Sequence, residues 1–587
     1  MSTDLGISLR ALTPRGAPAW LKFSAPMLDR ILGLPAVDEV YGQLQGLPPF
    51  EFVEQGLQVL DISVESTPAK FKDRIPAKGP LLVISNHPFG GVEMLALAQE
   101  IRTVRPDIKF LANIGLQVFR ELQPIFIAIN PLKVTQKNLL PIRQCEEHLN
   151  EGGVLVIFPA GKVSFRPRGS VRVQDREWNR VVGHLAKRTG ASLLPVFFRG
   201  ANSALFQTLG NIWDRSKLLL LPRELIRMKG RKIHFDVGHV ITSDVWRHLD
   251  ARPLTRYARL MTYLLESRSP PAPMVSADMK PLAALGDPAL IEQELATLPA
   301  KQRLLDFKQF SVFYAQAQQI PVLMNDIARE RERVFRLYDE GSGEPRDADD
   351  FDQTYVQLFV WDNKGRSLVG AYRLGKTDEL RKQDPAGVYL TQMFEFDDQF
   401  YDSMPPALEL GRSFVVPEHQ KSFHSLYLLW RGIGRFLVAH PRYRRLYGTV
   451  SLSRQYDDRA VALMCAELIE PLPHIRPRHA LPQLQHPEWL SYREDMGKLD
   501  LKTLSACVRG LDEEGKDIPI LVKHYHKIGA KFHCVAVDPN FNNTPGLLLM
   551  VDMDKASAKT ISTFLGKDGD DYLAYKPEQA TTEVAPI

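Results

Sequence analysis

The feature that most constrains this chain is a proline cluster near its middle. Ser269-Pro270-Pro271-Ala272-Pro273 breaks helix and strand alike, and the sequence stays irregular to about Pro288. The residue patterns on its two sides differ in kind. Before it, short apolar runs alternate with helical periodicity. Strands are expected at 81–85, 125–129, 154–158 and 192–198, with helices at 91–101, 139–149 and 177–189. That alternation implies an α/β domain with helices packed on a sheet. After it, a helical stretch is expected from Pro288 to about Leu337, interrupted at Pro321. Two β runs, 355–361 and 367–374, follow as a hairpin around Asp362-Asn363-Lys364-Gly365-Arg366. A strand at 407–416, a helix at 424–439, a strand at 446–452 and a helix at 458–468 complete an α+β layout. With roughly 150 residues per domain as a guide, the boundaries fall at 1–268, a linker at 269–288, a second domain at 289–565 and a tail at 566–587. Such a linker implies two independently folding units.

Composition narrows the class. Charged residues make up 24% of the 587 and the formal net charge is +5, with no basic stripe that would track a phosphate backbone, so nucleic acid is not an expected partner. A mildly basic surface suits anionic headgroups or an acidic carrier protein. The four cysteines lack metal-ligand spacing and read as free thiols in a reducing compartment. No signal peptide is read, nor any apolar run of about 18 residues. Any membrane contact is therefore expected to be peripheral, on the cytoplasmic side of the inner membrane. The segment Trp20 to Tyr41 is amphipathic and reads either as an interfacial docking helix or as a helix packed on the first domain.

Two segments carry chemistry. In Ser85-Asn86-His87-Pro88-Phe89-Gly90-Gly91-Val92-Glu93, an imidazole directly follows an apolar strand, and a carboxylate lies in the first turn of the next helix. A histidine oriented by a carboxylate is a general base near neutral pH, suited to a hydroxyl that attacks a thioester. Further on, Phe158-Pro159-Ala160-Gly161-Lys162, with Arg166 and Arg168 behind, makes an anion site of loop amides and three cations. In the second half, Glu409-Leu410-Gly411-Arg412 lies on a strand that leads into Pro417-Glu418-His419-Gln420-Lys421 and a helix, a place able to hold a phosphate.

These motifs carry two resemblances. Residues 80 to 205 resemble the glycerolipid acyltransferase superfamily, with its NH-x4-D, FPEG-type and VPV blocks. The resemblance makes His87 the base and Glu93 its orienting partner. Gly161, Lys162, Arg166 and Arg168 then bind the acceptor's anionic group. The match departs from the family at two points, because Glu93 stands one residue beyond the usual aspartate and Ala160 replaces the glutamate of FPEG. Residues 325 to 555 resemble the haemolysin-like ornithine N-acyltransferases, an offshoot of the GNAT fold related to acyl-homoserine-lactone synthases. Arg331-x-x-x-Phe335, Glu395-Phe396-Asp397 and Glu409 to Arg412 resemble the synthase pattern, and Gly370 to Leu374, the block from Glu409 to Val415, Trp430 to Ile433, Tyr447 to Ser453 and Val537 to Asn542 carry the fuller match. This resemblance implies that Glu395, Asp397, His419 and Lys421 bind substrate. Glu409 is expected to accept the amine's proton and Arg412 to position the reactants. The pyrophosphate signature of GNAT enzymes is not met cleanly at 431–436, which favours acyl carrier protein over coenzyme A as thioester donor. Together the halves resemble fused ornithine-lipid synthases: an amino acid is N-acylated by a 3-hydroxyacyl chain, and the lyso-lipid's hydroxyl is then acylated. No metal and no bound cofactor is implied. A lysophospholipid acyltransferase with a non-catalytic second domain, and a membrane cytolysin, are the alternatives.

Overall fold

The computed structural model describes residues 19–129, 139–167, 170, 172–212, 216–267, 279–403, 405–481, 493, 497–512 and 514–576. The proline cluster at 269–273 lies outside them. The chain divides into two compact units, Met1–Arg268 with Glu488–Gly515, and Ser269–Pro487 with Lys516–Ile587. Among the described residues no helix is long and apolar enough to cross a membrane.

Unit 1 is built on a seven-stranded sheet. Its strands are β1 (Ser63–Thr67), β2 (Leu81–Ser85), β3 (Ile108–Asn113), β4 (Phe126–Ile129), β5 (Val154–Ile157), β6 (Ser192–Phe198) and β7 (Lys232–Val237). The order is β1-β7-β6-β2-β5-β3-β4, and every pairing is parallel except β6 with β7. The central strand β2, Leu-Leu-Val-Ile-Ser, is buried at every position. An unbroken apolar run is what an interior parallel strand requires, because both of its faces are covered. Three strands, β1, β3 and β7, add to those expected from the sequence. The segment Trp20 to Tyr41 is two helices, Ala19–Leu32 and Leu34–Leu44, broken at Gly33 with φ +75°.

A helix from far along the chain completes this unit. Leu501–Leu511 buries Leu504, Ala506, Cys507, Val508 and Leu511. Asp500 caps it by accepting from the Thr503 amide at 2.7 Å. Thr503 Oγ1 meets His248 Nε2 at 3.2 Å, and a Cβ on Gly510 would lie 2.9 Å from Met261 Cε.

Unit 2 holds an eight-stranded sheet of β8 (Arg303–Phe307), β9 (Phe310–Gln316), β10 (Val356–Asp362), β11 (Ser367–Lys376), β13 (Ala407–Val415), β14 (Arg445–Ser451), β16 (Lys531–Asp538) and β17 (Thr544–Asp552). The order is β16-β17-β14-β13-β11-β10-β9-β8. A separate pair joins β12 (Phe394–Phe396) to β15 (Ile475–Pro477). The stretch 288–337 is not helical throughout: helices Pro288–Thr297 and Pro321–Arg336 flank the hairpin β8–β9. The expected hairpin is β10–β11, and Asp362 Oδ1 holds its turn by accepting from the Lys364 and Gly365 amides, both at 2.9 Å. Residues 280–287 belong to this unit, with Lys280 and Ala283 amides donating to the Gly343 and Pro345 carbonyls at 2.9 and 3.1 Å.

One pairing sets the character of the sheet. β13 and β14 are parallel, and all other neighbours are antiparallel. Their register runs from Ala407↔Arg445 to Leu410↔Gly448 and stops, although β13 continues to Val415 and β14 to Ser451. The two strands therefore part in mid-sheet. Beyond the split Arg412 has φ +49°, and the β11 side shifts register between Ala371 and Arg373, as at a bulge that bends a strand and re-aims a side chain.

Candidate active sites

The first site forms where β2 ends. Asn86 fixes the chain there: its Nδ2 donates to the Phe198 carbonyl at 2.9 Å, and its Oδ1 accepts from the Phe198 amide at 2.7 Å. The next residue, His87, is thereby presented beyond the carboxyl end of the sheet, where open α/β sheets bind ligands. Glu93 turns back from the first turn of helix Val92–Ile101 and accepts from the amides of Phe89, Gly90 and Gly91 at 2.6, 3.0 and 2.8 Å. Gly90 sits at φ +96°, and a Cβ there would lie 2.4 Å from Leu221 Cδ2 and 2.9 Å from Val163 Cγ2. Only glycine suits both that conformation and that contact.

His87 Nδ1 stands 3.2 Å from Glu93 Oε1. The ring stacks on Phe158, with centroids 4.3 Å apart. Burial disfavours the imidazolium, but the Glu93 carboxylate, with Asp175 behind it, outweighs burial and raises the His87 pKa above its ordinary value. Burial would also raise Glu93, yet His87 and the loop amides hold it below the usual carboxylate range.

Asp175 is a member of this site that no motif marks. It accepts from the His87 amide at 3.2 Å, Ser164 Oγ at 2.5 Å and Trp178 Nε1 at 2.9 Å. Ser164 N donates to the His87 carbonyl at 2.8 Å. The glycine-rich loop is thus laced to the histidine through Ser164 and Asp175. Gly161 (φ +62°) and Lys162 are exposed on that loop, as is Arg166, whose amide donates to Gln207 Oε1 at 2.9 Å. Arg168 lies outside the described residues. The neighbouring Val163 packs with Phe206, Leu220, Leu32 and Leu221. These partners come from helices Ala19–Leu32, Ala204–Ile212 and Ser216–Arg227, on which Met27 is 69% exposed and Ile31 44%, and Leu205 and Leu219 are also exposed.

The second site lies on β13, β11 and helix Pro321–Arg336. Arg331 is buried between Asp352, at 3.1 and 2.8 Å in a bidentate pair, and Asp347, at 2.7 Å. Arg373, equally buried, meets Asp352 at 3.2 Å and also Asp349. Burial alone would raise Asp352, but Arg331 and Arg373 hold it at about 2. Arg412 faces Asp347 and Asp349 at 3.8 and 3.6 Å, donates to the Tyr389 hydroxyl at 3.1 Å, and covers the Phe541 ring at 4.7 Å. Tyr389 donates onward to Asp538 at 2.7 Å.

Among the described residues, three carboxyls of this cluster are without an arginine ion pair, and burial raises each: Asp538, which accepts from Tyr389, and Glu409 and Glu340. Burial lifts Glu409 to about 7, against the pull of Arg373 and hydrogen bonds from the Leu390 amide and the Tyr355 hydroxyl, which lies at 3.2 Å. Burial likewise lifts Glu340 to about 7, against a Ser451 hydrogen bond and Arg412. Groups poised near neutrality can exchange protons at working pH.

Glu409 and Arg412 therefore come together, as do Arg331 and Arg373. The other four residues expected to bind substrate lie elsewhere. Glu395 is exposed and pairs with Arg478 at 3.3 Å, and Asp397 is exposed and pairs with His474 at 2.7 Å, both beside the β12–β15 pair. The His419 ring packs edge-on against Phe310, and Lys421 is exposed in the turn before helix Phe423–Ala439.

Comparison with known proteins follows this division. Residues 14–267 match a family described as "Acyltransferase", and residues 331–431 match one described as "Acetyltransferase (GNAT) domain". The glycine N(alpha)-acyltransferase of Bacteroides thetaiotaomicron is 27% identical over 308 residues, 48% of this chain and 89% of that protein. The lyso-glycine lipid O-acyltransferase of the same organism is 27% identical over 210 residues, 36% of this chain and 75% of that protein. The L-ornithine N(alpha)-acyltransferase of Agrobacterium fabrum is 29% identical over 252 residues, 40% of this chain and 80% of that protein. One chain thus joins a region similar to acyltransferases to a region similar to GNAT acetyltransferases, and its relatives are amino-acid N-acyltransferases and lyso-lipid O-acyltransferases.

Proposed function

We propose that this protein makes an amino-acid lipid by two acyl transfers, the first in unit 2 and the second in unit 1. One observation carries the reading. Relatives named for N-acylating glycine and for O-acylating the lyso-glycine lipid both resemble this single chain, each over less than half its length. Those two reactions are consecutive, because the product of the first is the acceptor of the second.

In unit 2 an acyl thioester, from acyl carrier protein or coenzyme A, meets an amino acid where β13 and β14 part. Glu409 and Arg412 organise donor and amine. A 3-hydroxyacyl chain is the donor the scheme requires, since its hydroxyl is the group that the second step esterifies. In unit 1 His87 takes the proton of that hydroxyl as the oxygen attacks a second thioester. The C–O bond forms, the C–S bond breaks, and the imidazolium returns the proton to the departing thiolate. Glu93 holds the ring in register and stabilises its charged form, while Lys162 and Arg166 receive the amino acid's carboxylate. The exposed Met27, Ile31, Leu205 and Leu219 lie on the helices that pack against Val163 beside Gly90, and they dock the unit on the inner face of the bacterial inner membrane.

The test is reconstitution. Purified full-length protein, given 3-hydroxyacyl carrier protein and single amino acids, should yield an N-acyl amino acid by mass spectrometry. A second acyl thioester should convert it to the diacyl lipid. Transfer only to lysophospholipid would reject the reading in favour of a glycerolipid acyltransferase.

A further inference from the structure

The proposed N-acylation needs a proton acceptor, and it rests on the reading above that unit 2 acylates an amino acid. The geometry points to Glu340, rather than Glu409, as the residue that receives the proton of the substrate ammonium. Glu340 belongs to the loop after helix Pro321–Arg336, and that loop is fastened to the parted end of the sheet. Ser453 Oγ donates to the Tyr338 carbonyl at 3.3 Å, and Asn542 Nδ2 donates to the Asp339 carbonyl at 2.7 Å. Ser453 follows the end of β14, and Asn542 lies in the turn between β16 and β17. The Glu340 amide closes the loop on the Phe335 carbonyl at 2.9 Å. Phe335 packs edge-on against Phe541 at 4.7 Å, the ring that Arg412 covers from another side. Glu340 is 7% exposed, and its neighbours are the Ser451 hydroxyl and Arg412, one on each strand beyond the point where they separate.

Glu409 is placed differently. It is 2% exposed, lies opposite Tyr447 in the stretch where β13 and β14 are still hydrogen-bonded, and is tied to Tyr355. It sits behind the fork, whereas Glu340 sits at its open end. Asp347, Asp349 and Asp352 are committed to Arg331, Arg373 and Arg412, and both oxygens of Asp538 are taken by the Tyr389 hydroxyl and the Asn540 amide. The charged groups that bear on Glu340 are Arg412, which favours its ionised form, and Asp339, which opposes it. Its carboxyl is raised to about 7, so it is substantially ionised at neutral pH and still basic enough to take a proton.

The nitrogen arrives as an ammonium and gives one proton to Glu340. Its freed lone pair attacks the thioester carbonyl, the N–C bond forms and the C–S bond breaks. The second proton lost by the nitrogen passes to the leaving thiolate, and Glu340 returns the first to water.

The experiment measures N-acylation by the full-length protein as kcat/KM against pH, for wild type, Glu340→Gln, Glu409→Gln and Ser451→Ala. Wild type should show an acid limb with a midpoint near 7. Glu340→Gln should lose about 10²–10⁴-fold at pH 7, and its limb should move up to that of the free ammonium, above about 8. Glu409→Gln should slow the reaction, since Glu409 helps organise donor and amine, yet keep the limb near 7. Ser451→Ala should move it upward, because the Ser451 hydrogen bond lowers the Glu340 pKa. The midpoint does not depend on the fraction of enzyme that is folded. A limb that stays near 7 in Glu340→Gln, or moves in Glu409→Gln instead, overturns the assignment. If Glu340→Gln is too slow to profile, an unshifted Ser451→Ala limb overturns it. Failure of wild type to N-acylate any amino acid is a separate outcome, and rejects the function rather than the residue.

Discussion

Removing helix Leu501–Leu511 from the reach of unit 1 should unfold that unit, even though some 230 residues of sequence separate them. Leu504, Val508 and Leu511 are buried to within 2% of completely, and Ala506 and Cys507 pack beside them. Burying a Leu or Val side chain stabilises by about 1.5–3 kcal/mol, so the three large residues contribute roughly 5–9 kcal/mol before the cost of ordering the helix. Whole domains are stable by only about 5–15 kcal/mol. A fragment of residues 1–268 would therefore lack a large part of its margin and expose the apolar groove around Tyr257 and Met261. A second fragment, 1–268 joined through a flexible Gly/Ser linker to 497–512, should recover it. Thermal unfolding followed by circular dichroism, with gel filtration, reads the difference. At about 2–4 °C per kcal/mol for a unit of this size, the rejoined fragment should melt at least about 10 °C higher and run as a monomer. If residues 1–268 alone melt cooperatively within a few degrees of the rejoined form, the helix is an accessory and the reasoning fails. The expectation that the proline linker separates two self-sufficient halves is thus replaced by one in which the first unit borrows a helix from beyond residue 488.

Two other predictions concern unit 1. Because Glu93 raises the His87 pKa against burial, the O-acylation rate should climb through an acid limb with its midpoint above the ordinary histidine value. Glu93→Gln should shift that limb to lower pH while slowing the reaction, and a limb that stays in place would remove Glu93 from the pair. Met27→Asp with Ile31→Asp should weaken co-sedimentation with anionic vesicles by roughly tenfold or more, since each side chain is worth about 1.5–3 kcal/mol when buried. The melting temperature should hardly move, because both residues are exposed; a lowered melting temperature with unchanged vesicle binding would make the helix a purely structural one.

Much of unit 1 was legible because its interior strands are unbroken apolar runs bounded by turn residues. Leu81–Ser85, Val154–Ile157 and Ser192–Phe198 declare themselves, and the strand-then-histidine order already puts His87 at the sheet edge. Asp175 was not legible. It reaches His87 across 88 residues and stands in a polar loop with no period to mark it. In unit 2 the hairpin β8–β9 was hidden between two helical stretches, where Phe310–Gln316 reads as one more apolar segment. The acidic run Asp347 to Asp352 has the composition of a solvated loop. It is drawn inward because Arg331 and Arg373, on a helix and a strand distant in sequence, need buried partners. Glu340 stands alone among charged and small residues, and only the fold reveals that it lies beside Ser451. The early end of the β13–β14 pairing is a property of register, which a single sequence does not display.

The central claim is that one chain performs two successive acylations on an amino acid. The most direct measurement is mass spectrometry of lipids from a host that makes no amino-acid lipids, expressing either the full-length protein or its His87→Ala variant. Wild type should give an N-acyl amino acid together with its O-acylated diacyl form. His87→Ala should give the monoacyl species in excess with the diacyl form reduced about 10²-fold or more. Normal diacyl lipid from His87→Ala, or wild-type lipids altered only in their phospholipid acyl chains, would contradict the account.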